Sequence, residues 1–314
     1  MNNIIENHIT FDYLFCVGDT HGKNLQLASH LLPNVPKESK KAILHVGDFG
    51  IGFSSHVGEL DNMKHLNMKL KKANVWLYVI RGNHDNPAYF DSNNSKHQDM
   101  DRFDNVILIP DHTLLSLQTV ENNNLRIYCL GGAVSVDRTN RTPSKDYWWN
   151  EIVPRLTEKE LEKIPSDIDI VLTHTRPKGV FPVSKNNIWR WLERDHNLEY
   201  DLDEELDRIY EVFEVLYKRN LKGLSHYYGH FHMSNTEFIG KVKHQLLNID
   251  ELIEVKPTHN EYVKSRIEEG EKSGFVDIEK VQAWNNLNDL DKKGYCSEVA
   301  LLTQMIIDSN KQNI

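Results

Sequence analysis

Short apolar runs that end at glycine, followed by a carboxylate, an amide or an imidazole, recur along this chain. Residues 75–80 (VWLYVI) have the length and composition of a buried strand, and they continue into residues 81–85 (RGNHD). Glycine at position 82 lets the backbone turn without a steric penalty from Cβ. Ligands bind beyond the carboxyl ends of the strands in open α/β sheets. The pattern therefore predicts an α/β protein with a site at its strand ends.

Four further runs, at residues 11–17, 42–46, 168–172 and 224–228, lead into similar polar segments. A single segment of this kind would be explained equally well by a helix cap or a tight turn. Repetition at five strand ends is poorly explained in that way, and it predicts side chains that converge on a common site. Those side chains are Asp19, His21, Asp48, Asn83, His84, His174, His230 and His232.

Carboxylate, imidazole and amide groups are ligands of hard to borderline divalent cations. Two cations about 3.5–4 Å apart need roughly seven or eight protein ligands, with one carboxylate shared. The set favours Mn²⁺ or Fe, with Zn²⁺ and Ni²⁺ as alternatives. Such a pair supports hydrolysis of phosphate esters by a metal-bridging hydroxide that attacks in line with the leaving group. His84 is the predicted proton donor, Asp85 either orients it or caps a turn, and Arg81 is placed to reach a phosphate oxygen.

Composition narrows the class of protein. Hydrophobic residues make up 39% and charged residues 26% of the 314 residues, which is typical of a globular protein. The formal net charge of −9 argues against a large nonspecific nucleic-acid surface. No apolar run approaches the roughly 20 residues that span a bilayer, and the N-terminus has no signal-peptide pattern. Three widely spaced cysteines form no disulfide framework or zinc pair, so we predict a cytoplasmic protein.

The remaining pattern predicts helices over residues 58–73, 157–164 and 203–218, and an exposed loop over residues 91–105. Residues 106–109, 113–117 and 125–130 are predicted to be antiparallel strands. The loop beyond them contains Arg138, Arg141, Lys145, Trp148 and Trp149. It is either a place to hold a phosphate or a base, or an ordinary solvated loop anchored by tryptophan.

The polar strand ends resemble, in order and spacing, the motifs of the calcineurin-like metallophosphoesterase superfamily. The resemblance covers about residues 12–250, and residues 131–138 with the two tryptophans are similar to a bacterial and phage branch. It implies a four-layer α/β/β/α sandwich and a dinuclear site. By this resemblance Asp48 bridges the metals and His84 donates a proton. Asp19, His21 and His232 would hold one metal, and Asn83, His174 and His230 the other. The motifs are Gly18-Asp19-Thr20-His21-Gly22, Gly47-Asp48, Gly82-Asn83-His84-Asp85, Thr173-His174 and Gly229-His230-Phe231-His232.

The chain departs from the Ser/Thr protein phosphatases, because Ile51 replaces their second aspartate and Asp85 replaces a glutamate. We therefore expect a phosphoesterase domain over residues 1–254, acting on phosphate esters that include nucleotides. Residues 255–314, outside the resemblance, are predicted to form a helical extension. The alternatives are a nuclease acting on DNA or RNA, and a noncatalytic metal-binding scaffold whose tail binds a partner.

Overall fold

Two β-sheets and a small number of helices form the fold. The computed structural model describes residues 3–28, 35–122, 124–183, 188–219, 224–240 and 242–255. In chain order, the strands are β1 (Asn3–Phe11), β2 (Tyr13–Val17), β3 (Lys41–His45), β4 (Val75–Val79), β5 (Val106–Leu108), β6 (Thr113–Thr119), β7 (Leu125–Leu130), β8 (Ile170–Thr173), β9 (Leu224–Tyr228), β10 (Asn235–Ile239), β11 (Val242–Leu246) and β12 (Leu252–Glu254). The helices are α1 (His56–Lys72), α2 (Ser95–Met100), α3 (Glu158–Leu161), α4 (Trp189–Leu192) and α5 (Leu198–Arg219).

The strand order brings the predicted polar ends together within each sheet. One sheet has the order β12-β2-β3-β4-β5, and β2 to β5 run parallel. The other has the order β1-β6-β7-β8-β9-β11-β10, in which β7, β8, β9 and β11 run parallel. Parallel neighbours end at the same edge, so the segments after β2, β3 and β4 are adjacent, as are those after β8 and β9.

Three hydrophobic clusters show which faces are buried. The first cluster combines residues of both sheets, including Leu44 of β3 and Leu172 of β8. The second joins Ile43, on the opposite face of β3, to Leu66 of α1. In the third, residues of β6, β7, β8, β9 and β11 pack against Phe213 of α5. Alternation along β3 follows from the two-residue period of a strand. The two-sheet α/β fold is confirmed, and the cluster membership is that expected of helix, sheet, sheet and helix layers.

Some predictions of local structure were wrong. β5 pairs with β4 in parallel, whereas only β6 and β7 form the predicted antiparallel pair. The predicted exposed loop at 91–105 contains α2, where His97 is buried and contacts the carbonyl of Tyr89. The edge strand β1 was not predicted and precedes the predicted first strand. Its alternating sequence buries only one face, so it lacks the continuous apolar run that marks the other strands.

The predicted division of the chain at residue 254 stays a prediction. The helical extension assigned to residues 255–314 lies outside the described residues, apart from Val255, which packs into the first cluster. Among the residues that the structure describes, no helix has the length and apolar character needed to cross a membrane.

Candidate metal centre

Backbone conformation at the strand ends is unusual for the residues that occupy them. His21, Asp48, His230 and His232 have φ angles of 45°, 54°, 70° and 52°. Residues other than glycine seldom adopt this left-handed region, because Cβ crowds the following carbonyl. Strained backbone of this kind is maintained by its surroundings and concentrates at functional sites.

Two motif glycines allow the close approach of buried carboxylates. A Cβ added to Gly82 would lie 2.1 Å from Oδ1 of Asp48, and one added to Gly229 would lie 2.1 Å from Oδ1 of Asp19. Both distances are far below a van der Waals contact. These glycines are therefore required for packing against the carboxylates as well as for turning the chain.

The first group of converging side chains consists of Asp19, His21, Asp48 and His232, whose donor atoms all lie within 4.8 Å of one another. Nε2 of His232 lies 3.2 Å from Oδ2 of Asp19 and 3.1 Å from Nε2 of His21. Nδ1 of His21 lies 3.9 Å from Oδ2 of Asp48. Two imidazoles and two carboxylates aimed at one point are a suitable donor set for a divalent cation.

The second group consists of Asn83, His174, His230 and the same Asp48. Oδ1 of Asn83 lies 3.1 Å from Nε2 of His174 and 2.9 Å from Nδ1 of His230. Oδ1 of Asp48 lies 3.2 Å from Nε2 of His174. The two oxygens of Asp48 thus face different groups, which makes this carboxylate the link between them.

Neighbouring polar groups fix the orientation of two of these side chains. Nδ1 of His174 lies 2.8 Å from the carbonyl of Val46 and donates to it, so Nε2 is directed at Asn83 and Asp48. Nδ2 of Asn83 donates to Oγ of Ser135 at 3.0 Å, and this bond directs the amide oxygen toward the imidazoles. Ser135 was not among the predicted site residues.

Electrostatics keep the carboxylate of Asp48 ionised. Burial would raise its pKa, but the charge and hydrogen bond of His174, with His84 and His21, hold the pKa well below its usual range. Burial likewise opposes protonation of His174, yet Asp48 outweighs it and raises the pKa of His174 to about 10. Burial and nearby His174 hold the pKa of His230 well below its usual value. The centre therefore holds an ionised carboxylate beside closely packed imidazoles in a buried setting, and the charge of Asp48 stabilises positive charge placed next to it.

His84 lies at the partly exposed side of the centre. Its backbone N–H donates to Oδ1 of Asp48 at 2.8 Å, and its Nε2 lies 4.0 Å from Oδ2. Burial lowers the pKa of His84, which the charge of Asp48 partly offsets, while nearby Arg141 lowers it further. Nη2 of Arg141 donates to Nε2 of His84 at 2.8 Å.

The guanidinium of Arg81 binds partners other than the predicted phosphate oxygen. Its guanidinium is buried and donates from Nε to Oδ2 of Asp111 at 2.8 Å. The two terminal nitrogens donate to the carbonyls of Glu151 and Ile152. Because all three nitrogens have protein partners, the prediction that Arg81 reaches a phosphate oxygen does not fit this arrangement. It anchors the segment at residues 151–152 instead.

Asp85 holds the loop after β3 rather than touching the ring of His84. Its carboxylate is fully buried, and burial together with Asp48 raises its pKa to about 6. Of the two predicted roles, capping a turn matches the contacts. The backbone N–H groups that donate to its two oxygens belong to Phe49, Gly50, Ile51 and Gly82.

The basic and aromatic residues of the predicted loop make different kinds of contact. Arg141 reaches His84, whereas Arg138 pairs with Asp195 and Asp201 at 2.6 Å each. Trp148 is buried and contacts the ring of Phe53, which supports the anchoring alternative for that residue. Trp149 is exposed. The density of arginines in the loop was the only sequence signal for Arg141.

The family model of the calcineurin-like phosphoesterases matches residues 14–245, and the chain belongs to this family. Solved structures to which the chain is similar include TT1561 of Thermus thermophilus, with 12% identity and a TM-score of 0.44 over 79% of this chain and 100% of that one. A phosphopantetheinyl hydrolase of Mycobacterium tuberculosis has 14% identity and a TM-score of 0.44, covering 79% and 97%. A putative 5'-nucleotidase of Staphylococcus aureus has 13% identity and a TM-score of 0.46, covering 78% and 50%. No curated protein sequence matches the chain significantly.

Proposed function

We propose that this protein hydrolyses phosphate esters with two divalent metal ions bound side by side. The observation that carries the proposal is the position of Asp48, whose Oδ1 faces His174 and whose Oδ2 faces His21. Asp19, His21, Asp48 and His232 would hold one ion, and Asp48, Asn83, His174 and His230 would hold the other.

The donor chemistry fits divalent metals. Carboxylate, amide and imidazole donors without thiolate favour Mn²⁺ or Fe, with Zn²⁺ and Ni²⁺ as alternatives. Nε2 of His21 and Nε2 of His232 lie 3.1 Å apart, a contact between ring nitrogens that a shared cation would stabilise. When bound, two such ions make hydroxide available near neutral pH and polarise phosphoryl oxygens.

The chain's own residues supply position and a proton. His84 is within reach of the centre through its contact with Asp48, and its partly exposed ring can deliver a proton to the leaving oxygen. The carboxylate of Asp85 accepts hydrogen bonds from the N–H groups of Gly50, in the loop after β3, and of Gly82. It thereby holds the two segments that carry Asp48 and Asn83 in a fixed relative position.

A nuclease is the second candidate, because exposed aromatic rings flank the arginines beyond β7 and β8. Trp149 is 81% exposed, and the guanidinium of Arg190 lies 5.2 Å from the ring centroid of Trp189. Such rings can stack on unpaired bases. The net charge of −9 opposes this reading.

The test measures hydrolysis of mono-nitrophenyl phosphate, bis-nitrophenyl phosphate and a labelled oligonucleotide, with Mn²⁺ added to chelator-treated protein. The variants are His84→Ala and Asp48→Asn, with His65→Ala, an exposed histidine of α1, as control. We expect His84→Ala to lower kcat by about 100-fold or more while it retains metal. Asp48→Asn should lose metal, measured by elemental analysis, together with activity.

His65→Ala should behave as wild type. Oligonucleotide cleavage without ester turnover would favour the nuclease. Metal-loaded wild-type protein that cleaves none of the three substrates would contradict the proposal and favour a binding scaffold.

A further inference from the structure

Arg141 places a positive charge against the proposed proton donor. Its Nη2 donates to Nε2 of His84 at 2.8 Å and lies 2.7 Å from Oδ1 of Asp137. Nη1 donates to the carbonyl of Asp146 at 3.4 Å. Only 9% of the side chain is exposed. A guanidinium can only donate, so Nε2 of His84 must be the acceptor in this arrangement.

The setting of Arg141 differs from that of two nearby arginines. Arg138 forms ion pairs with Asp195 and Asp201, and Arg81 is bound by Asp111 and two carbonyls. Because their guanidinium groups are bound by these protein partners, both arginines have a structural role. Arg141 is instead tethered on one side by an aspartate and directed on the other at a side chain of the centre. An imidazole nitrogen is a weak partner for a guanidinium compared with an anionic oxygen.

We propose that Arg141 binds a non-bridging oxygen of the substrate phosphate and selects phosphomonoesters over phosphodiesters. This inference rests on the proposed function and names the substrate class of the same site. On binding, the phosphate oxygen replaces Nε2 of His84 as the acceptor of the guanidinium. Asp137 keeps the guanidinium at the rim during this exchange. Nε2 of His84, no longer an acceptor for Arg141, takes up a proton from solvent at its partly exposed ring and then faces the leaving oxygen as the donor.

The preference for monoesters follows from charge and shape. A phosphomonoester carries up to two negative charges on three non-bridging oxygens, whereas a diester carries one charge on two. Attraction to a fixed guanidinium grows with the charge of the phosphate, and it is strong where the side chain is shielded from water. In a diester, the second ester group also takes the position of one non-bridging oxygen that the planar guanidinium of Arg141 could bind.

The experiment compares Arg141→Ala and Arg141→Lys with Lys145→Ala, which removes a positive charge from an exposed position of the same loop. The measured quantities are kcat/KM for the mono- and bis-nitrophenyl esters with Mn²⁺, and the metal content. For Arg141→Ala we expect a loss of about 30- to 100-fold for the monoester and less than about 5-fold for the diester. Arg141→Lys should be intermediate, because it keeps the charge without the fork. Lys145→Ala should match wild type.

Equal losses for the two esters would overturn the selectivity, and values that match Lys145→Ala would overturn the phosphate contact. Loss of metal in Arg141→Ala would also overturn it, since the residue would then act through the metal site.

Calorimetric titration of the Mn²⁺-loaded proteins with inorganic phosphate tests the contact without turnover. Binding at least 10-fold weaker in Arg141→Ala supports the contact even if wild type hydrolyses neither ester, a result that would count against the proposed function alone. Equal phosphate binding in wild type and Arg141→Ala overturns the inference.

Discussion

Replacing Gly82 with alanine tests the packing of the centre most directly. The added Cβ would lie 2.1 Å from Oδ1 and 2.3 Å from the backbone N of Asp48, and 2.7 Å from Nε2 of His174. An ordinary contact between carbon and oxygen needs more than about 3 Å, so Asp48 must move by roughly 1 Å. That shift would weaken its bond from the His84 N–H and its contact with His174.

Overpacking a buried site costs about 1–3 kcal/mol, and a lost hydrogen bond to a charged group costs a similar amount. We expect Gly82→Ala to lower the free energy of unfolding by about 3 kcal/mol. The Tm should fall by roughly 6–12 °C.

The assay is thermal unfolding with chelator present, followed by elemental analysis after Mn²⁺ loading. Gly58→Ala is the control, because this position lies in α1 and its nearest neighbour would be the hydroxyl of Ser54 at 3.2 Å. We expect the control to change stability by less than about 1 kcal/mol and to retain metal. A Gly82→Ala protein with the Tm and metal content of wild type would refute the steric argument.

Two further predictions concern stability and use urea unfolding with chelator present. Burial raises the pKa of Glu205 to about 7 from an ordinary value of 4.5, so the stability it contributes is full below pH 4.5 and is lost as the pH rises through 7. Glu205→Gln should therefore be more stable than wild type at pH 8 by about 3 kcal/mol and not at pH 4.5; an equal difference at both would contradict this. Phe213→Ala removes a fully buried ring of α5 and should cost about 3–5 kcal/mol, against less than about 0.5 kcal/mol for exposed Tyr200→Ala. Similar costs for the two variants would contradict the burial argument.

The strand ends could be predicted because their signal is local. An apolar run, a glycine and a polar side chain occupy neighbouring positions, and the run fixes where the strand stops. The structure places β2, β3, β4, β8 and β9 at the predicted runs within a few residues. The predicted pairing of β5 was wrong because the sheet that this strand joins depends on residues far away in the sequence. Both sheets present apolar faces, so short-range pattern cannot decide between them.

Individual roles near the centre were harder to predict. Asp85 and Arg81 carry suitable groups for catalysis, but the structure uses both to hold backbone. Arg141 stands 57 residues from His84 along the chain, and the contact exists only because the loop beyond β7 folds back over the end of β4. No sequence pattern within either segment indicates that Arg141 and His84 lie in contact.

The sequence by itself determined the types of donor, their position at strand ends and the glycines that let the chain turn there, because backbone sterics and apolar patterning act over a few residues. The tertiary structure alone decided which donors meet. It placed Asp48 between His21 and His174, gave Asn83 its orientation through Ser135, and set Arg141 against His84. These contacts depend on how two sheets and a distant loop pack, since packing brings together residues whose separation along the chain carries no information about their distance in space.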